Sequence, residues 1–277
     1  MTVDRSCGGT VCRYGDDERR AAEPEGRGAK TTTTLHLGGT LAAAGRKTLL
    51  VDLDGQGNLT TGLKLDRLDP KAELTLASAM LDGCDREQAR SLVRQHSENL
   101  FVIPSALDLF TLPRKLYSVR GGAEHRLSWV LELLEDDFDH CLVDCRPALE
   151  VDTDNALTWA TDVLIPVDVD EFSIEALELL LGQVHTLVTD ARVAPPRYRG
   201  LVINKIDRPF SGFHQKVYDA IHQLPLPVVG EIPMRTAVAE AKNKGLTIAQ
   251  YEPKSDVARM FRDLAVKAGY LPETPSS

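Results

Sequence analysis

Six short apolar runs separated by helical patterns constrain this 277-residue chain more than any other feature. They are Thr48–Leu53, Leu100–Pro104, Cys141–Asp144, Val163–Val167, Gly200–Asn204 and Val228–Ile232. Runs this short, apolar on consecutive positions, suit strands buried on both faces. Helical patterns lie at 31–44, 85–96, 122–135, 172–188, 212–223, 235–243 and 254–268. Strands alternating with helices predict βαβ units. The expected fold is therefore α/β, with a doubly wound, mostly parallel sheet and helices on both faces. One such domain over 26–270 accounts for the length.

The first 25 residues break the pattern. Arg13–Glu25 is charged and holds no apolar run, so 1–25 reads as an irregular segment and the first strand as degraded or missing. Residues 271–277, rich in Pro, Ser and Thr, read as a loose tail. No stretch approaches the roughly 18 apolar residues of a membrane span, and no signal-peptide core opens the chain, which together predict a cytoplasmic protein. Five cysteines, with Cys141 and Cys145 flanking a strand end, suit reduced thiols.

Sheets of this kind bind ligands beyond the carboxyl ends of their strands, so chemistry is sought there. Gly26-Arg27-Gly28-Ala29-Lys30-Thr31-Thr32 puts glycines, a lysine and hydroxyls at a helix entrance. Glycines let backbone N–H groups turn toward phosphate, Lys30 adds a point charge, and the Thr31 hydroxyl suits Mg²⁺. The helix then directs its positive end at the same anion. Asp52 and Asp54 close the next strand and, on an extended segment, point the same way. Two carboxylates facing a phosphate pocket can hold Mg²⁺ through water and orient a hydrolytic water. Leu142-Val143-Asp144 ends another strand in an acid able to reach the metal. Asn204-Lys205-Ile206-Asp207 ends a fourth and leaves open a guanine-reading role.

The pattern from Gly26 to Ala268 resembles the ParA/Soj family of partition ATPases, in the deviant Walker A, MinD-like group. Lys30–Thr34 is similar to the end of its phosphate loop, and Val51-Asp52-Leu53-Asp54-Gly55-Gln56-Gly57-Asn58 to its Val-Asp-x-Asp-Pro-Gln-Gly-Asn motif. Asp144-Cys145-Arg146-Pro147 with Asn155-Ala156-Leu157 resembles a second motif, and Ile232-Pro233 and Tyr251–Ser255 follow in order. The resemblance implies a P-loop NTPase fold and an ATP- and Mg²⁺-dependent homodimer. It also implies sequence-blind DNA binding on the nucleoid and stimulation by a ParB-like partner. It implies that Gly26, Gly28, Ala29, Lys30, Thr31 and Thr32 hold the nucleotide's phosphates, and that Asn204 and Pro233 border its adenine. Thr31, Asp52 and Asp144 would surround the metal, and Lys30, Asp54 and Asp144 would be catalytic. Arg235, Lys242 and Lys244 would meet DNA phosphates. They lie in a part of the chain, from Arg197 on, with 12 basic against 8 acidic residues, although the whole carries −9. No terminal basic amphipathic helix of the MinD membrane-targeting kind follows Ala268.

The departures are specific. Glu25 stands where the family has its signature lysine, Ala29 replaces a glycine, and Gly55 and Arg146 replace prolines. They point to a second reading, a non-hydrolysing scaffold with a defective loop. Codons exist for Asp16–Gly28 that, read one base later, give Thr-Met-Ser-Val-Val-Leu-Arg-Ser-Gln-Lys-Gly-Gly-Val, an apolar strand leading into the family's loop. A shifted reading frame would thus account for most of the departures together.

Overall fold

The computed structural model describes residues 29–146, 150–170, 173–190 and 194–273, and the backbone of 8–12. Its strands are β1 (Gly8–Cys12), β2 (Thr48–Asp52), β3 (Arg94–Ser97), β4 (Leu100–Ile103), β5 (His140–Asp144), β6 (Asp162–Asp168), β7 (Arg197–Ile206) and β8 (Val228–Pro233). They form one sheet in the order β3-β4-β2-β5-β1-β6-β7-β8, and only the β3–β4 pair is antiparallel. All six strands expected from apolar runs are present. The fold is the doubly wound α/β type.

Alternation along the strands builds a core on each face. Leu49 and Val51 of β2, Val143 of β5, Ile165 of β6 and Ile203 of β7 pack on one face. Leu50, Leu142, Leu164 and Val202 pack on the other. Helix α1 (Ala29–Ala43) runs from the carboxyl side of the sheet and is buried on nearly every side. After it come α2 (Asn58–Gly62), α3 (Leu76–Asp82), α4 (Arg86–Ser91), α5 (Leu112–Leu116) and α6 (Arg126–Leu131). The remaining helices are α7 (Val151–Trp159), α8 (Ser173–Asp190), α9 (Gly212–His222), α10 (Thr236–Asn243), α11 (Ile248–Tyr251) and α12 (Asp256–Lys267). None among the described residues is long and apolar enough to cross a membrane.

Three expectations are corrected. The first strand is degraded rather than missing, and 1–25 is not irregular throughout: Gly8–Cys12 occupies the centre of the sheet, in parallel register with β5 and β6. Hydrogen bonds from neighbours on both sides depend on backbone and not on side-chain type, so they admit a glycine-bearing segment with no apolar pattern. The helix expected over 85–96 stops at Ser91, and 94–97 joins the sheet edge as β3. The pattern at 122–135 folds as α6 between two tight 3₁₀ turns, Ala123–His125 and Glu132–Asp137. Gly26, Gly28 and the proposed frame-shifted phrase lie outside the described residues, as does 274–277 of the tail.

Candidate functional site

The carboxyl ends of β2, β5, β6 and β7 bring four polar side chains to the entrance of α1. Asp52 lies in register with Asp144, and Asp168 with Asn204, one pair on either side of β1. Lys30 and Thr31 sit in the first turn of α1. The Thr31 hydroxyl donates to Asp144 Oδ2 at 2.7 Å, 113 residues away in sequence. The other carboxylate oxygen of Asp144 is buried without a hydrogen-bond partner. Lys30 is close enough for its charge to act on both Asp144 and Asp168. Thr32, on the same turn, is half-buried.

Asp52 and Asp54 do not act as an equivalent pair. Asp52 is completely buried and accepts from the Thr60 backbone at 2.8 Å and from the Thr60 hydroxyl at 2.6 Å, which ties β2 to the start of α2. Asp54 lies beyond the strand, half-buried, and accepts from Gln56 N at 2.9 Å. The chain bends after Asp52, so the period-two expectation that both point the same way does not apply. Two further side chains hold the bend. Ser105 donates to the Asp54 carbonyl at 2.6 Å, and Arg67 donates to the carbonyls of Gly55 and Gln56. Gly57 carries a positive φ of 66° there, and an added Cβ would lie 2.6 Å from Arg67 Nε.

Burial dominates the electrostatics. It pushes the Asp52 carboxyl up to about 6 against the lowering effect of Thr60. Burial, then the neighbouring Asp52, drives Asp144 well above the usual carboxylate range, with Thr31 and Lys30 opposing. Burial also raises Asp168, against its ion pair with Lys205 at 3.0 Å. Among the described residues no three acidic, His or Cys side chains gather to hold a metal by themselves, so the fit rests on Asp144, whose unpartnered oxygen and neighbouring Thr31 hydroxyl are hard donors of the kind Mg²⁺ takes alongside substrate phosphates. The residues therefore fit the metal.

Among the remaining expected site residues, Asn204 is buried and donates to Thr33 Oγ1 of α1 at 3.0 Å. Pro233 ends β8 opposite Ile206, and Ala29 opens α1. Arg235, Lys242 and Lys244 gather on α10 and its caps. Arg235 pairs with Asp256 at 3.3 Å, and the Lys244 ammonium lies 4.4 Å from the Tyr251 ring centre. Lys242 is half-buried over Gly62, where an added Cβ would meet its Cε at 3.0 Å. Asp168, Arg67 and Thr60 were not singled out from the sequence, and Lys205 entered there only within the Asn204–Asp207 motif. An acid ending an apolar strand, the signal that marked Asp144, also marks Asp168; Arg67 and Thr60 carry no such signal.

The AAA domain family profile matches residues 22–193. The chain is 32% identical to the sporulation initiation inhibitor protein Soj of Bacillus subtilis, over 85% of this chain and 91% of that one. It is 31% identical to the chromosome-partitioning ATPase Soj of Treponema pallidum, over 85% and 90%. Its fold superposes on apo McdA of Cyanothece with a TM-score of 0.78 at 23% identity, covering 95% of this chain and 100% of that one. It also superposes on cobyrinic acid a,c-diamide synthase of Mycobacterium smegmatis, bound to an ATP analogue and magnesium, with a TM-score of 0.73 at 25% identity, covering 93% and 92%.

Proposed function

The chain belongs to the ParA/Soj family of partition ATPases, and from that premise we propose that it is an ATP-dependent dimerisation and DNA-binding switch for plasmid or chromosome partitioning. The observation that carries the reading is the contact between Thr31 and Asp144 beside Lys30. Lys30 and the α1 entrance, with Gly26, Gly28, Ala29 and Thr32, bind the phosphates. Thr31 and Asp144 hold Mg²⁺, and Asp52 fixes the segment that follows β2 while adding negative charge near the ion. Asp54 orients the attacking water from the bend braced by Ser105 and Arg67. Asn204 and Pro233 border the adenine. Mg²⁺, when bound with the triphosphate, offsets the charge that develops on the phosphates.

Two subunits joined around ATP bind DNA through Arg235, Lys242 and Lys244, independently of sequence and more weakly as salt rises. Hydrolysis, stimulated by a ParB-like centromere-binding partner, releases the DNA. The protein works in the cytoplasm, on the nucleoid. A second reading, a scaffold that does not turn ATP over, draws on Glu25 and Ala29 in the loop sequence.

Titrating labelled ATP with Mg²⁺ and measuring turnover with and without DNA tests the proposal. Saturable binding with DNA-responsive turnover is expected. Saturable binding without turnover would leave the scaffold reading, and no binding would remove the nucleotide switch.

A further inference from the structure

Asn204 is 2% exposed and sits at the carboxyl end of β7 against α1. Its side-chain nitrogen donates to Thr33 Oγ1 at 3.0 Å and, more distantly, to the Val202 carbonyl at 3.4 Å. Thr33 is completely buried, and its hydroxyl donates to the Ala29 carbonyl at 2.8 Å. A hydroxyl holds one proton and a carbonyl holds none to give. The Thr33 oxygen, with its proton committed to Ala29, can meet Asn204 only as an acceptor. The Val202 carbonyl imposes the same role. Both contacts therefore require the NH₂ end of the amide, so its orientation is fixed by chemistry. Asn204 Oδ1 is left buried without a hydrogen-bond partner.

An unpaired buried carbonyl is costly to the fold, and an arriving donor offsets that cost. Asn204 faces Asp168 in the sheet register, and the Lys30 charge reaches Asp168, so this orphan acceptor belongs to the same end of the sheet as the phosphate lysine.

We propose that Thr33 is a specificity-determining residue: it holds the Asn204 amide with only its acceptor available, and so selects a nucleotide base that donates a hydrogen bond there, the exocyclic amine of adenine. The inference rests on the nucleotide reading above and deepens it. It also disfavours the guanine-reading role for Asn204–Asp207. A 6-oxo group in place of the amine sets acceptor against acceptor, and Asp207 is exposed.

Competition against labelled ATP, with Mg²⁺ present, compares ATP, purine riboside triphosphate (which lacks only the 6-amino group) and GTP. The unaltered chain is expected to prefer ATP over purine riboside triphosphate by about tenfold, the worth of one such hydrogen bond. Thr33→Val removes the nearer acceptor and leaves only the distant Val202 carbonyl to hold the amide, so the ratio should fall toward one, while Thr33→Ser, which keeps the hydroxyl, should restore it. An unaltered ratio in Thr33→Val overturns the role of Thr33. A ratio near one in the unaltered chain overturns it without recourse to any variant, should Thr33→Val fail to fold. A chain that binds none of the three overturns the nucleotide reading and this inference with it, an outcome distinct from binding without discrimination.

Discussion

Asp144 illustrates how a site of this kind works against the stability of the fold that holds it. Burial and the adjacent Asp52 raise its folded pKa above that of the unfolded chain. A group shifted this way favours the folded state at low pH, and that contribution is lost as pH rises through the folded value. Asp52, raised to about 6, has the same sign. Asp144→Asn should therefore raise the melting temperature of the nucleotide-free protein at pH 8 by several degrees, at about 2–4 °C per kcal/mol for a chain of this size. The gain should shrink toward pH 5, where the native acid takes up its own proton. Thermal melts at both pH values test this, and equal or lower melting of the variant at pH 8 would refute it. On the proposed function the same substitution removes a residue that would hold Mg²⁺, so any ATP turnover should be lost with the gain in stability. Asp52 and Asp144 were legible in sequence because an acid closing an apolar run marks a strand end, and Thr31 because glycines and a lysine precede it at a helix entrance. Arg67 and Thr60 were not, because nothing local marks an arginine that braces a bend from eleven or twelve residues away.

Helix α1 is the element on which the site depends, and its packing explains its composition. It carries no amphipathic stripe because the sheet covers one side and α11 and α12 the other. His36, pushed down to about 3 by burial, stays neutral, accepts from Ile248 N at 2.9 Å and lies 5.3 Å from the Phe261 ring. Gly38 and Gly39 permit the close approach. A Cβ on Gly39 would fall 2.3 Å from the Thr247 Cβ, and one on Gly38 2.4 Å from a Leu50 methyl. Gly39→Ala is therefore expected to destabilise the fold by about 1–3 kcal/mol through overpacking, despite the better helix propensity of alanine. Denaturant midpoints measure it, and an unchanged or higher midpoint would contradict the packing account. The buried strands were legible because burial on both faces leaves consecutive apolar residues. β3, made of Arg94, Gln95, His96 and Ser97, was illegible because an antiparallel edge strand needs no apolar run. α2 was hidden for another reason: its start is fixed by Asp52, eight residues before Thr60, and its own five residues are too few to show a period.

At the scale of the whole molecule, the central slot of the sheet connects sequence to function. A phosphate loop normally leaves an apolar central strand, whereas this slot holds Gly-Gly-Thr-Val-Cys. The alternative phrase for Asp16–Gly28 contains Ser-Val-Val-Leu, which has the β-branched, apolar character the slot favours. The gene is expected to carry codons compatible with that phrase, and sequencing it decides the matter, since one incompatible codon refutes the frame shift. β5 and β6 each pair with β1 and not with each other, so the sheet is continuous only through it. Order of synthesis gives this arrangement a further meaning. At about 5–20 residues per second, the ribosome completes β5 and β6 on the order of ten seconds or more after releasing the segment that must lie between them. Until then β1 has neither of its two neighbours, so both its edges stay unpaired, and the nascent chain is most exposed to mispairing and to chaperone capture during that interval.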